Sequence, residues 1–335
     1  MTPHWPRELI ALPGGERVSV AFTALPDEPG IAAGPGFVKD PLLCVHGMAG
    51  AATNWAEFMA ELAGEFDCDA VDLPGCGWSP PPATMAGYSA AALAGTVIKL
   101  IEHRRRGPVH LVGNSMGGLV SVRVAATRPD LVRTLTLISP ALPDRAIRRP
   151  VVQFPLMGLP KVGEWLLRRV GRYPAEARVR GVMGVCFYDP GTVHPESFRQ
   201  AVAEMERRDT LGYASASLAG AARALTAEYL RPRWAAGNAW RLARRVRCPV
   251  LAIYGSHDQL VRPMMAGRAA REFRDCRVMV LPCTGHVAQM EHPVRVAGEF
   301  RELARAMQGG SQAAARVAGQ GMPAGSAGFE PLTET

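Results

Sequence analysis

The chain has 335 residues, 48% of them hydrophobic and 20% charged, enough for a full hydrophobic core and unlike a disordered chain, a collagen-like fibre or a bundle of membrane spans. Its net charge is +8, yet the cations are not focused into a stripe interleaved with aromatics, so specific nucleic-acid binding is not indicated. Seven cysteines, an odd number with no C-x-x-C pair, suit buried thiols and neither a disulfide framework nor a zinc ribbon.

The N-terminus lacks the order of basic, apolar and small-residue segments that marks a secretory leader, so a cytoplasmic protein is expected. Residues 8–12 and 17–24 read as an opening hairpin around Pro13-Gly14-Gly15-Glu16. Strands are then expected at 41–45, 68–73, 109–112 and 132–139, separated by helices near 53–64, 89–103 and 116–128. The least charged stretch, 80–98, is mostly Ala, Gly, Ser, Thr and Pro, too weakly apolar to cross a membrane.

After residue 140 the alternation breaks. Residues 141–245 are punctuated by proline, helical where they have any period, and strongly basic, with fifteen Lys and Arg against nine Asp and Glu between 141 and 235. A solvated Arg-rich surface accounts for that balance, and an anionic substrate or a membrane surface is the other reading. The alternation resumes with strands at 249–255 and 277–281 and helices near 264–273 and from Pro293. Residues 308–335, rich in Gly, Ala, Ser and Gln, are expected to be disordered. The pattern predicts a mostly parallel eight-stranded α/β sheet with helices on both faces, a core of 1–140 and 246–307, and a helical insertion at 141–245.

The chemistry concentrates in Gly113-Asn114-Ser115-Met116-Gly117, a G-x-S-x-G between an expected strand and an expected helix. Composition alone yields that pattern in about one chain in ten, so its setting carries the argument. A serine on a sharp strand-to-helix turn has its hydroxyl exposed at a helix N-terminus, where unpaired N–H groups point at a developing oxyanion. A glycine-rich packing loop is the plainer reading. Serine also needs a base held by a third group. Tyr254-Gly255-Ser256-His257-Asp258 and Cys283-Thr284-Gly285-His286 follow the last two strands and offer both.

In those residues the chain resembles the α/β-hydrolase superfamily, over about residues 8–140 and 246–307. The resemblance implies Ser115 as nucleophile, Asp258 as acid and His286 as base. His257 is a rival base, His292 a helix-start residue and Asp144 an alternative acid. It further implies oxyanion donors from the backbone N–H of Met116 and of Met48 in His46-Gly47-Met48-Ala49-Gly50, with Ala49 as the other choice. Asp72 to Ser79 resembles a structural turn of that superfamily.

The insertion becomes a cap, whose Phe154, Leu156, Met157, Trp165, Leu166, Leu167, Met183, Phe187 and Tyr188 either line an acyl pocket or form the cap's own core. Gly34-Pro35-Gly36 lacks the setting of a dinucleotide loop, and no cofactor or metal is expected. The function implied is a serine hydrolase of an acyl bond, a carboxylic ester with an apolar acyl group. A carbon–carbon bond hydrolase, an acyltransferase and a ligand-binding module on the same fold are the alternatives. Oligomeric state is not legible.

Overall fold

The computed structural model describes residues 4–23, 39–144 and 153–319. Gly34-Pro35-Gly36, Arg145, Arg148 and Arg149, and the tail beyond 319 lie outside them. Strands β1 (Arg7–Ala11), β2 (Arg17–Phe22), β3 (Asp40–Val45), β4 (Phe66–Val71), β5 (Val109–Asn114), β6 (Val132–Ile138), β7 (Val250–Gly255) and β8 (Cys276–Leu281) form one sheet in the order β1-β2-β4-β3-β5-β6-β7-β8. β2 pairs antiparallel with β1 and β4, and every other pairing is parallel.

Helices α1 (Ala56–Leu62), α2 (Ala90–Arg104) and α3 (Met116–Thr127) make the crossovers of the first half. Between β6 and β7 come α4 (Gln153–Met157), α5 (Val162–Val170), α6 (Ala175–Cys186), α7 (Pro195–Asp209), α8 (Ala214–Leu230) and α9 (Ala239–Ala243). Helices α10 (Met265–Glu272), α11 (Ala288–Glu291) and α12 (Pro293–Gly319) complete the chain. Helix α12 continues past Gln308 to Gly319.

Side chains on a strand alternate between faces, and in this sheet both faces are buried. Leu43 and Val45 of β3 join Leu135 and Leu137 of β6 under α2, α3 and α10, while Leu42 and Cys44 join Leu251 and Ile253 under α1 and α12. On the second face Trp55, Phe58 and Phe300 meet edge to face, each fully buried. Burying each such ring contributes roughly 1.5–3 kcal/mol.

The parallel strands end together, which brings the loops after β3, β5, β7 and β8 to one edge of the sheet. Among helices α4 to α8, α4 and α5 pack on α8, and α6 on α7; residues of α4, α6, α7 and α8 share a cavity with the loops at that edge. α9 instead packs on α3, with Trp240 in the core and its indole N–H donating to the Pro143 carbonyl at 2.7 Å.

Candidate active site

Ser115 stands between β5 and α3 with φ +53° and ψ −117°, a conformation that costs a non-glycine residue about 1–3 kcal/mol. Backbone bonds on both sides hold it there. Its N–H donates to Ile138 at 3.0 Å, and its carbonyl accepts from Ala141 at 2.9 Å. The flanking glycines are required by space, since a Cβ on Gly117 would lie 2.2 Å from the Val45 carbonyl oxygen and one on Gly113 2.6 Å from that of Gly117. Met116 is the first residue of α3, so its N–H has no acceptor within the helix.

The loop after β3 passes directly in front of the serine, where a Cβ on Gly47 would sit 3.0 Å from that of Ser115. Met48 and Ala49 follow, and Ala49 has φ +61°. His46 fixes this loop. Its Nε2 accepts the Leu73 N–H at 2.9 Å, so its proton is on Nδ1, which donates to the Gly47 carbonyl at 2.7 Å. Burial lowers the His46 pKa and keeps the ring neutral. The loop after β4 supports the same place from below. The buried Asp72 carboxylate accepts from the N–H groups of Ala52 at 2.7 Å and Trp78 at 3.0 Å and pairs with Arg7 at 2.7 Å.

After β7 and β8, Asp258 and His286 meet. His286 Nδ1 donates to Asp258 Oδ2 at 2.8 Å, and the other carboxylate oxygen accepts the N–H groups of Leu260 at 2.8 Å and Val261 at 2.9 Å. Burial pushes the Asp258 carboxyl up, but the charge and hydrogen bond of His286 and the Val261 N–H outweigh it and hold the group below its ordinary value. An ionised Asp258 in turn fixes the imidazole with Nε2 free of a proton. Asn114, the last residue of β5 before Ser115, ties this loop to that strand, because its side-chain amide donates to the carbonyls of both Ile138 and His286 at 3.1 Å.

The alternatives sit elsewhere. His257 is exposed, its ring tilted against that of Tyr188 at 4.4 Å between centroids, and bonded through Nδ1 to Ser256. His292 precedes α12, its carbonyl accepting the Val296 N–H. Asp144 forms a two-point pair with Arg262. Cys186 lines the cavity, but burial pushes its thiol up to about 12, so it stays protonated.

Ser115, His286, Met48 and Ala49 line one cavity of about 230 Å³ between the sheet edge and the insertion. Phe154, Met183 and Phe187 contribute to its wall, together with Val179 and Leu225. Of the nine apolar positions singled out in the sequence only Phe154, Met183 and Phe187 reach the cavity, whereas Leu156, Trp165 and Tyr188 are exposed. Glu57, Gln200, Glu204 and Arg208 add polar groups to the lining. Arg208 donates to the Ala49 carbonyl at 3.1 Å, and desolvation by burial lowers its pKa.

Sequence reasoning missed two further contacts. The end of α6 is fastened to the histidine loop: the His286 N–H donates to the Cys186 carbonyl at 2.6 Å. Glu291 bridges the same two segments, one carboxylate oxygen accepting from Gly285 and the other from Tyr188, both at 2.8 Å. No spacing in the sequence announces Glu291, whose partners are backbone groups. Among the described residues, no group of three or more His, Cys, Asp and Glu side chains could hold a metal ion, and no helix is long and apolar enough to cross a membrane.

A family model described as alpha/beta hydrolase fold matches residues 40–293. The chain is 30% identical over 270 residues to a 2-hydroxy-6-oxononadienedioate/2-hydroxy-6-oxononatrienedioate hydrolase of Burkholderia vietnamiensis, covering 78% of this chain and 85% of that one. It is also 30% identical over 254 residues to the dihydrolipoyllysine-residue acetyltransferase component of the acetoin cleaving system of Pseudomonas putida, covering 75% of this chain but spanning only 60% of that relative. Among solved structures, a thermophilic esterase from Thermogutta terrifontis superposes with a TM-score of 0.64 at 24% identity, over 90% of this chain and 99% of that one.

Proposed function

Because the chain belongs to the α/β hydrolase fold family, we propose that it is a serine hydrolase that cleaves a carboxylic ester through an acyl-enzyme on Ser115. His286 takes the Ser115 proton as the oxygen attacks the carbonyl carbon, and Asp258 keeps the imidazole oriented and stabilises its charge. The Met116 N–H and one from the Met48-Ala49 turn stabilise the tetrahedral oxyanion. The protonated His286 then gives its proton to the leaving alcohol, and water repeats the sequence on the acyl-enzyme. The helical insertion acts as a cap over the cavity. All seven cysteines are free thiols, which favours a reducing compartment.

The observation that carries this reading is the buried Asp258–His286 pair at 2.8 Å opening on the same cavity as a serine held at positive φ. A fluorophosphonate probe tests it. The wild-type protein is expected to label in the folded state, and Ser115→Ala to lose both labelling and at least a thousandfold of aryl-ester turnover. Labelling that survives the substitution would sink the assignment and leave a ligand-binding module as the reading.

A carbon–carbon bond hydrolase is the second reading, and Arg208 favours it. A guanidinium on the cavity wall suits a substrate carrying a carboxylate, and the Burkholderia relative is named for a dioate. Turnover of 2-hydroxy-6-oxononadienedioate faster than any aryl ester would move the assignment there, and transfer of acyl groups to added alcohol or thiol in preference to water would make it a transferase.

A further inference from the structure

The outer face of the insertion is apolar and basic at once. Within the eighteen residues 156–173, Leu156, Leu159, Val162, Trp165, Val170 and Tyr173 are all exposed, Trp165 by 58% and Tyr173 by 64%. At 100° per residue, Val162, Trp165 and Val170 share one side of α5, while other contacts of the α4 and α5 segment are with α8. Monomer surfaces usually scatter such side chains singly, and six within eighteen residues point to a binding surface.

The same eighteen residues hold Lys161, Arg168, Arg169 and Arg172 against one acid, Glu164. That acid lies 3.7 Å from Arg168, and Lys161, Arg169 and Arg172 have no carboxylate partner among the described residues. The charge chooses the occupant. In a twofold dimer the same patch meets itself, so these cations would face their own copies as the apolar side chains closed. An anionic lipid surface takes both features together: Trp and Tyr lie at the headgroup level, aliphatic side chains below it, and Arg and Lys meet the phosphates.

We propose that the α4 and α5 face docks on an anionic bilayer surface. Helix α4 then has two sides, since Phe154 lines the cavity next to Ser115 while Leu156 stands outward. The docked face is the outer wall of the site. Docking does not depend on the catalytic assignment, so its test uses binding alone.

The full chain is spun with extruded vesicles of phosphatidylcholine, and of phosphatidylcholine with equal phosphatidylglycerol, at low and high salt. Partition is expected on the anionic vesicles only and to fall with salt. Arg169→Gln and Arg172→Gln should each lower it about fivefold, and Trp165→Ser on the order of tenfold, with melting curves unchanged because all three side chains are exposed. No partition, or equal partition on the neutral vesicles, would overturn the proposal. So would a dimer in light scattering that Trp165→Ser dissociates, because the face would then be an interface between copies.

Discussion

Asp258 shows how one side chain sets both stability and chemistry. Its carboxylate is buried, accepts two backbone N–H groups and bonds His286, and its folded pKa is held below the ordinary value. A depressed carboxyl contributes stability that is full above its unfolded pKa, about 4, and lost as pH falls through the lower folded value. Wild type is therefore expected to melt above Asp258→Asn at pH 6, with the gap narrowing below pH 4, while turnover of the variant falls by about 10⁴ from the wrong imidazole tautomer. Melting curves across that range and steady-state rates check the two halves. A gap that widens in acid would show that the carboxylate is not the stabilising form. Gly117 is a second residue on which the site hangs. Alanine there drives a Cβ into the backbone oxygens of Val45 and His46, at 2.2 and 2.5 Å, where no side chain can turn aside. Gly117→Ala is expected to cost about 3 kcal/mol in denaturant titration, the upper end of ordinary overpacking, and to slow labelling of Ser115 because the strand before Gly47 must shift. An unchanged midpoint would mean the helix can slide at little cost.

Between elements, the fastening of α6 to the loop after β8 links the insertion to His286, the proposed base. Glu291 accepts from Gly285 and Tyr188, and burial pushes its pKa up. Glutamine offers one acceptor where the carboxylate offers two and presents an NH₂ to the other N–H. Glu291→Gln is expected to lower kcat about tenfold with KM little changed, in keeping with the loss of one hydrogen bond to a charged group. A purely structural role would lower the melting temperature and leave kcat alone. None of this bridge was legible in the chain, whereas the eight strands were, each within about two residues. The difference is physical. Leu111 and Val112 or Leu251 and Ile253 are buried on opposite faces, so strand interiors read as continuous apolar runs bounded by turn residues. Glu291 acts through backbone partners that any sequence supplies. Helix α11 is four residues long, too short for a period to show. In the insertion, hydrophobicity announced a surface but not its address: Phe154 faces the cavity, and Trp165, eleven residues on, faces solvent. The positions of Ser115, Asp258 and His286 could be read because each follows a strand end, and parallel strands bring such ends together.

At the scale of the whole molecule, the insertion and the sheet edge together bound the space a substrate can fill. The cavity of about 230 Å³ lies below the range of roughly 300–1,000 Å³ usual for drug-sized ligands. Its lining is also mixed: Phe154, Val179, Met183, Phe187 and Leu225 contribute apolar surface, and Glu57, Gln200, Glu204 and Arg208 polar groups, in the cavity that Ser115 lines. For the proposed ester substrate, an acyl chain of modest length fits among those apolar side chains with the scaffold as it stands, and a long chain requires helices α4 to α6 to move. Their movement would have to break the clasp of Cys186 and Tyr188 on the histidine loop, which is the same clasp that positions His286. Length selectivity and catalysis are thus coupled, and overlong chains should lose kcat as well as affinity. In a series of p-nitrophenyl esters, kcat/KM is expected to peak between butyrate and octanoate. Acetate should fall about tenfold short of butyrate, since two buried methylenes are worth about 0.8 kcal/mol each. Palmitate should fall short through kcat. A series that peaks at acetate would remove the apolar lining from acyl recognition, and one that peaks at palmitate with undiminished kcat would show that the insertion opens without disturbing the histidine.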